Sequence, residues 1–170
     1  MSPPTKTPER GRRAKRPTGD ERELLIRETL ESLLETKSFH EISIDDLARG
    51  AGISRPSFYF YFESKEAVLL SLLDTIVSQA DAASDDAQGA LEQDPERFLR
   101  DALTAYFHYF GAHRAVSVAG TEAGAGNPKV RALWNQVRER WVQAATTAIE
   151  AERSRGAAPD GPPARELAIA

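Results

Sequence analysis

A short run of polar and aromatic side chains in the first half of the chain carries the chemistry for binding nucleic acid. Arg55 can pair with guanine or with a phosphate, and the hydroxyls of Tyr59 and Tyr61 can donate hydrogen bonds to phosphate oxygens. Lys65 stands in the first turn after Ser64, a helix-capping residue, where an ammonium and free N–H groups make an anion site. These residue types at this spacing predict contact with DNA.

The aromatic content of this run is unusual, because every position from Phe58 to Phe62 is aromatic. In a helix, Phe58 and Phe62 lie one turn apart and fit a buried face. Consecutive aromatics cannot all face one core, so we expect at least two of them to be exposed, namely the tyrosines Tyr59 and Tyr61 beside Arg55 and Lys65. The alternative, that the aromatics belong only to a helical core, stays open at this point.

The elements that must position these side chains are two short helices joined by a turn. Ser43 with Asp46 is a capping-box variant that predicts the start of the first helix. Ser54 predicts the start of the second, with Pro56 in its first turn, where a missing N–H breaks no helical hydrogen bond. The glycines Gly50 and Gly52 separate them, which is typical of a helix-turn-helix unit.

A basic arm precedes this unit. Residues 1 to 18 hold six lysines or arginines and one glutamate, a net charge of +5, whereas the other 152 residues sum to −9. The arm also holds four prolines and, after Met1, no large apolar side chain, so we expect it to be disordered in isolation. Cationic arms of this kind can follow the DNA backbone or enter the minor groove, and a solvated run of charges is the alternative.

The rest of the chain shows helical periodicity and no strand-like alternation, which predicts an all-α fold. We expect an arm over 1–18, a helix-turn-helix domain over 19–79 with its recognition helix at about 54–61, and a helical sensing and dimerisation core over 80–170. The predicted helices cover about 21–36, a long segment from Ser64 that frays near 84–86, a segment from Asp94 to Gly111, a short helix at 112–119, a strong helix from Asn127 to before Gly156, and a start at 164–170. Gly120, Gly124 and Gly126 predict a loop.

Aromatic side chains in the second half gather on two predicted helices. Trp134 and Trp141 are seven residues apart and share a face, as do Tyr106 and Phe110 approximately. For such a stripe, core packing is the more common explanation, and an apolar ligand pocket between the helices is the alternative.

The run from Ile44 to Ala48, then Gly52-Ile53-Ser54, the segment from Ser57 to Phe62, and Ser64-Lys65-Glu66 together resemble the DNA-binding domain of the TetR-type transcriptional regulators. The resemblance implies a repressor that binds a palindromic operator and is released by a lipophilic small molecule. It places the DNA-contacting positions at Ser54, Arg55, Pro56, Ser57, Tyr59, Tyr61 and Lys65. It places the ligand channel at Phe98, Leu99, Tyr106, Phe110, Trp134 and Trp141.

The resemblance also implies a homodimer, formed mainly by two helices that follow the proline-rich linker at 159–163. The sequence ends at Ala170, where the first of them begins. We therefore expect a core shortened at its C-terminus, in which dimerisation is weakened.

The sequence also argues against several classes of function. It has no cysteine, which excludes disulfides, thiolate catalysis and cysteine-ligated zinc. Gly52 to Pro56 begins like a nucleophile elbow but lacks its second glycine, and His108 and His113 fall on different helix faces. We therefore expect no enzyme, no metal and no cofactor.

Location and the competing function follow from the same sequence. No run of about 18 apolar residues is present, so we expect a cytoplasmic, nucleoid-associated protein without a membrane partner. The competing hypothesis is a shortened helical protein that sequesters an apolar ligand or a protein partner without binding specific DNA.

Overall fold

The computed structural model describes residues 18–85 and 94–170, and the regular structure within these ranges is helical, without strands. This confirms the all-α prediction. The predicted basic arm lies outside the described residues except for Thr18. The helices are α1 Gly19–Leu34, a 3-10 helix Phe39–Glu41, α2 Ile44–Gly50, α3 Arg55–Phe58, α4 Lys65–Asp85, α5 Pro95–Ala112, α6 Arg114–Gly124, α7 Pro128–Ser154 and α8 Ala164–Ile169.

Helix α1 begins at a complete capping box. The Thr18 side chain accepts from the N–H of Glu21, and the Glu21 carboxylate accepts from the N–H of Thr18 at 2.6 Å. Ile26 and Leu30, one turn apart, are fully buried and turn this helix onto the rest of the core. The helix lies within two residues of its predicted bounds.

The helix-turn-helix is formed as predicted. The Ser43 hydroxyl accepts from the N–H of Asp46 at 3.1 Å and starts α2, while Ser54 accepts from Ser57 at 3.2 Å and starts α3. Between them the chain turns through Gly52, whose φ of +66° is a left-handed conformation that favours glycine. Leu47 and Phe58 are fully buried and hold the two helices against each other.

Helix α4 belongs to both halves of the molecule. Its apolar face packs against α1 on one side and against α5, α6 and α7 on the other. Val68, Leu69 and Leu73 are fully buried and join one continuous core that runs from Ile26 to Val137. A displacement of α4 therefore shifts the residues packed against it in both halves, because close-packed interiors transmit strain.

The loop predicted at Gly120 and Gly124 is wrong, because α6 continues through both residues to Gly124. Gly120 is buried against α4, where an added Cβ would lie 2.7 Å from the Cδ1 of Leu73. The residue is glycine because two helices approach closely there. Because Leu73 is 47 positions away from Gly120, the residues around Gly120 in the sequence do not indicate this contact.

The second half closes with α7 and α8. Asn127 caps α7 by accepting from the N–H groups of Lys129 and Val130, as predicted, and the helix ends just before Gly156, whose φ is +72°. Helix α8 forms where a helix start was predicted. It packs on α7 through the buried Ala164 and a 2.8 Å ion pair between Arg165 and Glu139.

Candidate nucleic-acid interface

The recognition segment is held by a buried anchor and a polar cap. The ring of Phe58 is 0% exposed, and the hydroxyls of Ser54 and Ser57 lie 2.8 Å apart at the start of α3. Beyond α3 the chain makes a further tight turn, in which the N–H of Phe60 donates to the oxygen of Ser57 and that of Tyr61 to Phe58. The predicted segment 54–61 is therefore one α-helical turn followed by a turn of 3-10 type.

Arg55 projects from α3 toward solvent and meets an acid from α2. Its Nη1 lies 2.8 Å from the Oδ2 of Asp45, and both side chains are more than half exposed. Tyr59 lies beside Arg55 and is 48% exposed. A side-chain hydrogen bond with Tyr59 is the main cause that raises the pKa of Arg55 above its usual value, and the negative charge of Asp45 is the second cause. Arg55 is thus a permanent cation, oriented by two neighbours.

The aromatic pair that reaches solvent is Tyr59 and Phe60. Phe60 is 85% exposed, whereas Tyr61 is half-buried against the core. The Tyr61 hydroxyl accepts from the Nη1 of Arg22 on α1 at 3.3 Å. The expectation of two exposed tyrosines is wrong at Tyr61, since α1 covers that face of the recognition segment.

Lys65 is engaged within the fold. Its Nζ donates to the main-chain oxygens of Ile42 at 2.8 Å, Phe39 at 2.9 Å and His40 at 3.3 Å. The same nitrogen lies 4.7 Å from the centre of the Phe39 ring. An ammonium has three donors, and in this arrangement all three are used by the end of the 3-10 helix. The structure therefore places Lys65 behind the recognition segment, as a brace between the 3-10 helix and α4.

The remaining predicted DNA-contacting positions, Ser54, Pro56 and Ser57, lie at the start of α3. Ser54 and Ser57 form the cap of α3, and Pro56 is exposed in its first turn. Among the seven predicted DNA-contacting residues, Arg55 and Tyr59 thus combine an exposed side chain with a polar group that can bind a base or a phosphate. Sequence reasoning assigned no role to Phe60, although the spacing that puts Phe58 and Phe62 on one buried helix face leaves Phe60 off that face.

In the second half, four of the six predicted ligand positions come together as one aromatic cluster. Tyr106 stacks on Phe110 at 4.1 Å and meets Trp141 edge to face at 5.5 Å. Phe110 in turn lies 5.7 Å from Trp134. Phe98 is buried in the core and Leu99 is half-buried, both about two turns earlier on α5.

Two shallow grooves flank this aromatic cluster. One, of about 400 Å³, lies between α5, α6 and α7. The other, of about 430 Å³, lies between α5 and α7. Burial raises the pKa of the Tyr106 phenol between them, which marks apolar surroundings. The first groove is lined by Tyr106, Phe110, Arg114, Ser117, Val118, Thr121, Glu122 and Trp134, and the second by Leu103, Tyr106, Phe107, Trp134, Val137, Arg138 and Trp141.

Polar groups along the grooves are largely satisfied within the chain. The indole N–H of Trp134 donates to the oxygen of Gly120 at 3.2 Å, and the Ser117 hydroxyl donates to the oxygens of His113 and Phe110. Thr121 donates to the oxygen of Ser117 at 3.0 Å. The grooves thus present mainly aromatic and apolar side chains, and the charged Arg114, Glu122 and Arg138 also lie in their lining.

Within the described residues, two polar contacts join the DNA-binding half to the second half. The Glu31 carboxylate on α1 contacts the Nδ1 of His113, which lies between α5 and α6. At the other end, Glu63, just before α4, pairs with Lys129 of α7 at 2.8 Å, and this hydrogen bond holds the pKa of Glu63 below its usual value. Together with α4, these contacts connect the groove-forming helices to the recognition segment.

Two other site types are not seen in residues 18–85 and 94–170. No group of three or more His, Asp or Glu side chains in these ranges is placed to hold a metal ion. No helix in the same ranges has both the length and the apolar character to cross a membrane.

Comparison with known proteins matches both halves of the chain. Residues 26–72 match the family described as bacterial regulatory proteins, tetR family, and residues 99–170 match the family described as transcriptional regulator EthR, C-terminal domain. The chain is 52% identical over 164 residues to the HTH-type transcriptional regulator EthR of Mycolicibacterium smegmatis, covering 96% of this chain and 75% of that protein. The chain belongs to the TetR family of transcriptional regulators.

Other members of the TetR family are also similar to this chain in sequence or in fold. The EthR of Mycobacterium tuberculosis is 51% identical over 162 residues, covering 95% of this chain and 75% of its own length. The crystal structure of the TetR-family regulator PfmR from Thermus thermophilus matches the fold with a TM-score of 0.69 at 23% identity, over 85% of this chain and 78% of that one. The resemblance predicted from the helix-turn-helix residues is thus confirmed, and the chain is a DNA-binding transcriptional regulator.

Proposed function

We propose that this TetR-family regulator is a repressor that binds a palindromic operator as a dimer and is released when a lipophilic molecule occupies the grooves beside the aromatic cluster. The observation that carries the proposal is the exposed face of α3 and the following turn, where Arg55 and Tyr59 reach solvent above the fully buried Phe58. A regulator of this kind would act at the nucleoid.

Each predicted DNA-contacting residue has a role in this proposal. Arg55 pairs with guanine or a phosphate, and Tyr59 donates to a phosphate oxygen. Ser54, Pro56 and Ser57 bring the start of α3 to the major groove, where their small side chains allow close approach. Tyr61 acts with Arg22 as one polar unit toward the backbone, and Lys65 positions the segment from behind.

The effector side of the proposal is supported by the aromatic cluster. Trp134 and Trp141 flank Tyr106 and Phe110, and the Trp134 indole N–H and the Ser117 and Thr121 hydroxyls already donate within the chain. A ligand with few polar atoms therefore loses no hydrogen bonds on entering. Phe98 and Leu99 lie about two turns earlier on α5 and line neither of the two grooves, so their part in ligand binding stays a prediction.

Release requires that the ligand binds one conformation better than another. A molecule that wedges α5 from α7 would displace α4, which contacts both, and with it the DNA-binding half of each protomer. Two such halves must meet half-sites about 34 Å apart on B-DNA, so a change in their spacing lowers operator affinity.

The DNA proposal is tested by selecting duplexes from a random pool with the whole chain and measuring affinity by fluorescence anisotropy over a range of salt. We expect log K to fall steeply and linearly with log salt, since each neutralised phosphate contributes a slope of about −0.9. Binding of Nile red without any salt-dependent, sequence-selected DNA binding would instead support a ligand-sequestering protein.

The effector proposal is tested on the same preparation. The chain has two tryptophans, Trp134 and Trp141, and both lie in the aromatic cluster, so their fluorescence reports on the grooves directly. Nile red, a neutral apolar dye, should quench them and lower affinity for the selected duplex. In Trp134→Ala the dye should bind more weakly, with Trp141 as the remaining reporter. Quenching without any change in DNA affinity would refute the coupling.

A further inference from the structure

Phe60 is the most exposed of the large apolar side chains in the described residues, and it stands on the DNA-facing segment. Its ring takes part in no aromatic contact within residues 18–85 and 94–170, whereas the neighbouring Phe58 ring meets both Tyr59 and Phe62. The fold therefore does not require an aromatic ring at position 60. Phe60, 85% exposed, follows the half-exposed Tyr59 directly, so the segment presents adjoining aromatic surface to solvent beside Arg55.

The direction of Phe60 is set by its backbone. Its N–H donates to the oxygen of Ser57 at 3.2 Å, and the next N–H, of Tyr61, donates to the oxygen of the buried Phe58 at 2.9 Å. Tyr61 is tied to α1 through Arg22. Position 60 is thus fixed on both sides, and the ring is presented on the same segment as Tyr59 and Arg55.

The chemistry of DNA limits what such a ring can contact. A phenyl ring carries no donor or acceptor, so it cannot bind a phosphate as the flanking tyrosines can. In the major groove, the one apolar group on the base edges is the C5-methyl of thymine, and phenylalanine is among the side chains that contact it. An exposed ring on a recognition segment therefore matches thymine and no other base.

We propose that Phe60 is a specificity-determining residue that reads a thymine methyl in each half-site. The inference rests on the proposed operator binding and adds to it the base that one residue selects. Arg55 supplies hydrogen bonds in this picture, and Phe60 supplies an apolar contact that discriminates thymine from cytosine and uracil.

The test starts from duplexes selected by the wild-type chain from a random pool. Each thymine is replaced in turn by deoxyuridine, which removes the methyl group and leaves base pairing intact. We expect a single thymine in each half-site at which the replacement lowers wild-type affinity by about fourfold, the value of one buried methyl group. Phe60→Ala should bind the thymine and deoxyuridine duplexes equally, and Phe60→Leu should retain part of the discrimination.

Tyr59→Phe is the matched control, since it removes one hydroxyl from the adjacent residue. It should weaken every duplex by a similar factor and keep the full response to deoxyuridine. Thermal unfolding should show that both Phe60 variants fold as the wild type does, because the ring is exposed. The proposal is overturned if no thymine responds to the replacement in the wild type, or if Phe60→Ala responds as the wild type does. A wild-type chain that selects no duplex at all would refute operator binding itself, and this inference with it.

Discussion

The ammonium of Lys65, in the first turn of α4, lies 2.8 Å from the main-chain oxygen of Ile42, at the end of the 3-10 helix. With the oxygens of Phe39 and His40 it forms a three-way brace that ties the segment before α2 to the helix after the recognition turn. Lys65, which the family resemblance places among the DNA-contacting positions, therefore also stabilises the fold.

Replacing Lys65 with methionine keeps the aliphatic stem and removes all three donors. Because hydrogen bonds to a charged group are worth more than neutral ones, we expect the free energy of unfolding in urea to fall by about 1 to 3 kcal/mol, without DNA present. Glu63→Gln, two residues away, breaks only an exposed ion pair with Lys129 and should leave the urea midpoint unchanged. Equal stability of Lys65→Met and wild type would show that the brace contributes nothing.

The exposed ion pair between Arg55 and Asp45 predicts a competition for the guanidinium. DNA has to draw Arg55 away from the Asp45 carboxylate, so Asp45→Asn should raise affinity for the selected duplex. Arg55→Ala should lower it roughly ten- to a hundredfold and relax the base preference at one position, as expected for loss of a bidentate guanine contact.

Anisotropy titrations at fixed salt measure both effects. Asp101→Asn is the matched control, because it makes the same change in charge on α5, where Asp101 is exposed and pairs with Arg97 at 3.6 Å. Equal affinities of Asp45→Asn and Asp101→Asn would mean that the gain reflects net charge alone and that no competition exists.

Acid should weaken the capping box of α2. Hydrogen bonds from the Ser43 hydroxyl and N–H lower the pKa of Asp46 from 3.8 to about 2. A carboxyl with a depressed pKa in the folded state stabilises the fold fully above pH 3.8, and this contribution is lost as the pH falls through about 2. Unfolding midpoints measured between about pH 5 and pH 2 should therefore fall less steeply in Asp46→Asn. An acid slope identical to that of the wild type would contradict the prediction.

The features that sequence reasoning found are those whose partners lie within a few residues. The caps at Ser43, Ser54 and Asn127 join groups three positions apart or fewer, so the pattern alone predicts them. The role of Lys65 depends on carbonyls more than 20 positions away, and the role of Gly120 on Leu73. Such contacts exist only after the helices have packed, which is why the loop predicted at Gly120 was wrong.

The covered face of Tyr61 shows the same limit within the site itself. Alternation along a helix separates an outward from an inward face, but it does not say that α1 lies across the outward one. Arg22, which meets the Tyr61 hydroxyl, is 39 positions away. The exposed pair Tyr59 and Phe60 follows from this packing.

The close approach of α6 and α4 at Gly120 gives a test of how the two halves are joined. Gly120→Ala places a Cβ 2.7 Å from both methyl carbons of Leu73, so the buried Leu73 side chain or the helix that carries it must shift. We expect unfolding in urea to require about 1 to 3 kcal/mol less free energy, as is typical of overpacking. Gly111→Ala is the matched control: no atom lies within 4 Å of its added Cβ, and on α5 the change should stabilise the chain by about 0.5 to 1 kcal/mol.

The same pair also tests the coupling through α4. In Gly120→Ala, a shift of α4 away from α6 should displace the DNA-binding half, because α4 begins at the Lys65 brace. Affinity for the selected duplex should therefore fall in Gly120→Ala but not in Gly111→Ala. In a Leu73→Ala background the added methyl at position 120 has room, so its effect on stability should shrink, and the double-mutant cycle measures that interaction. If the effects of the two substitutions on the free energy of unfolding were additive, the methyl group at position 120 and Leu73 would not interact, and the prediction would be wrong.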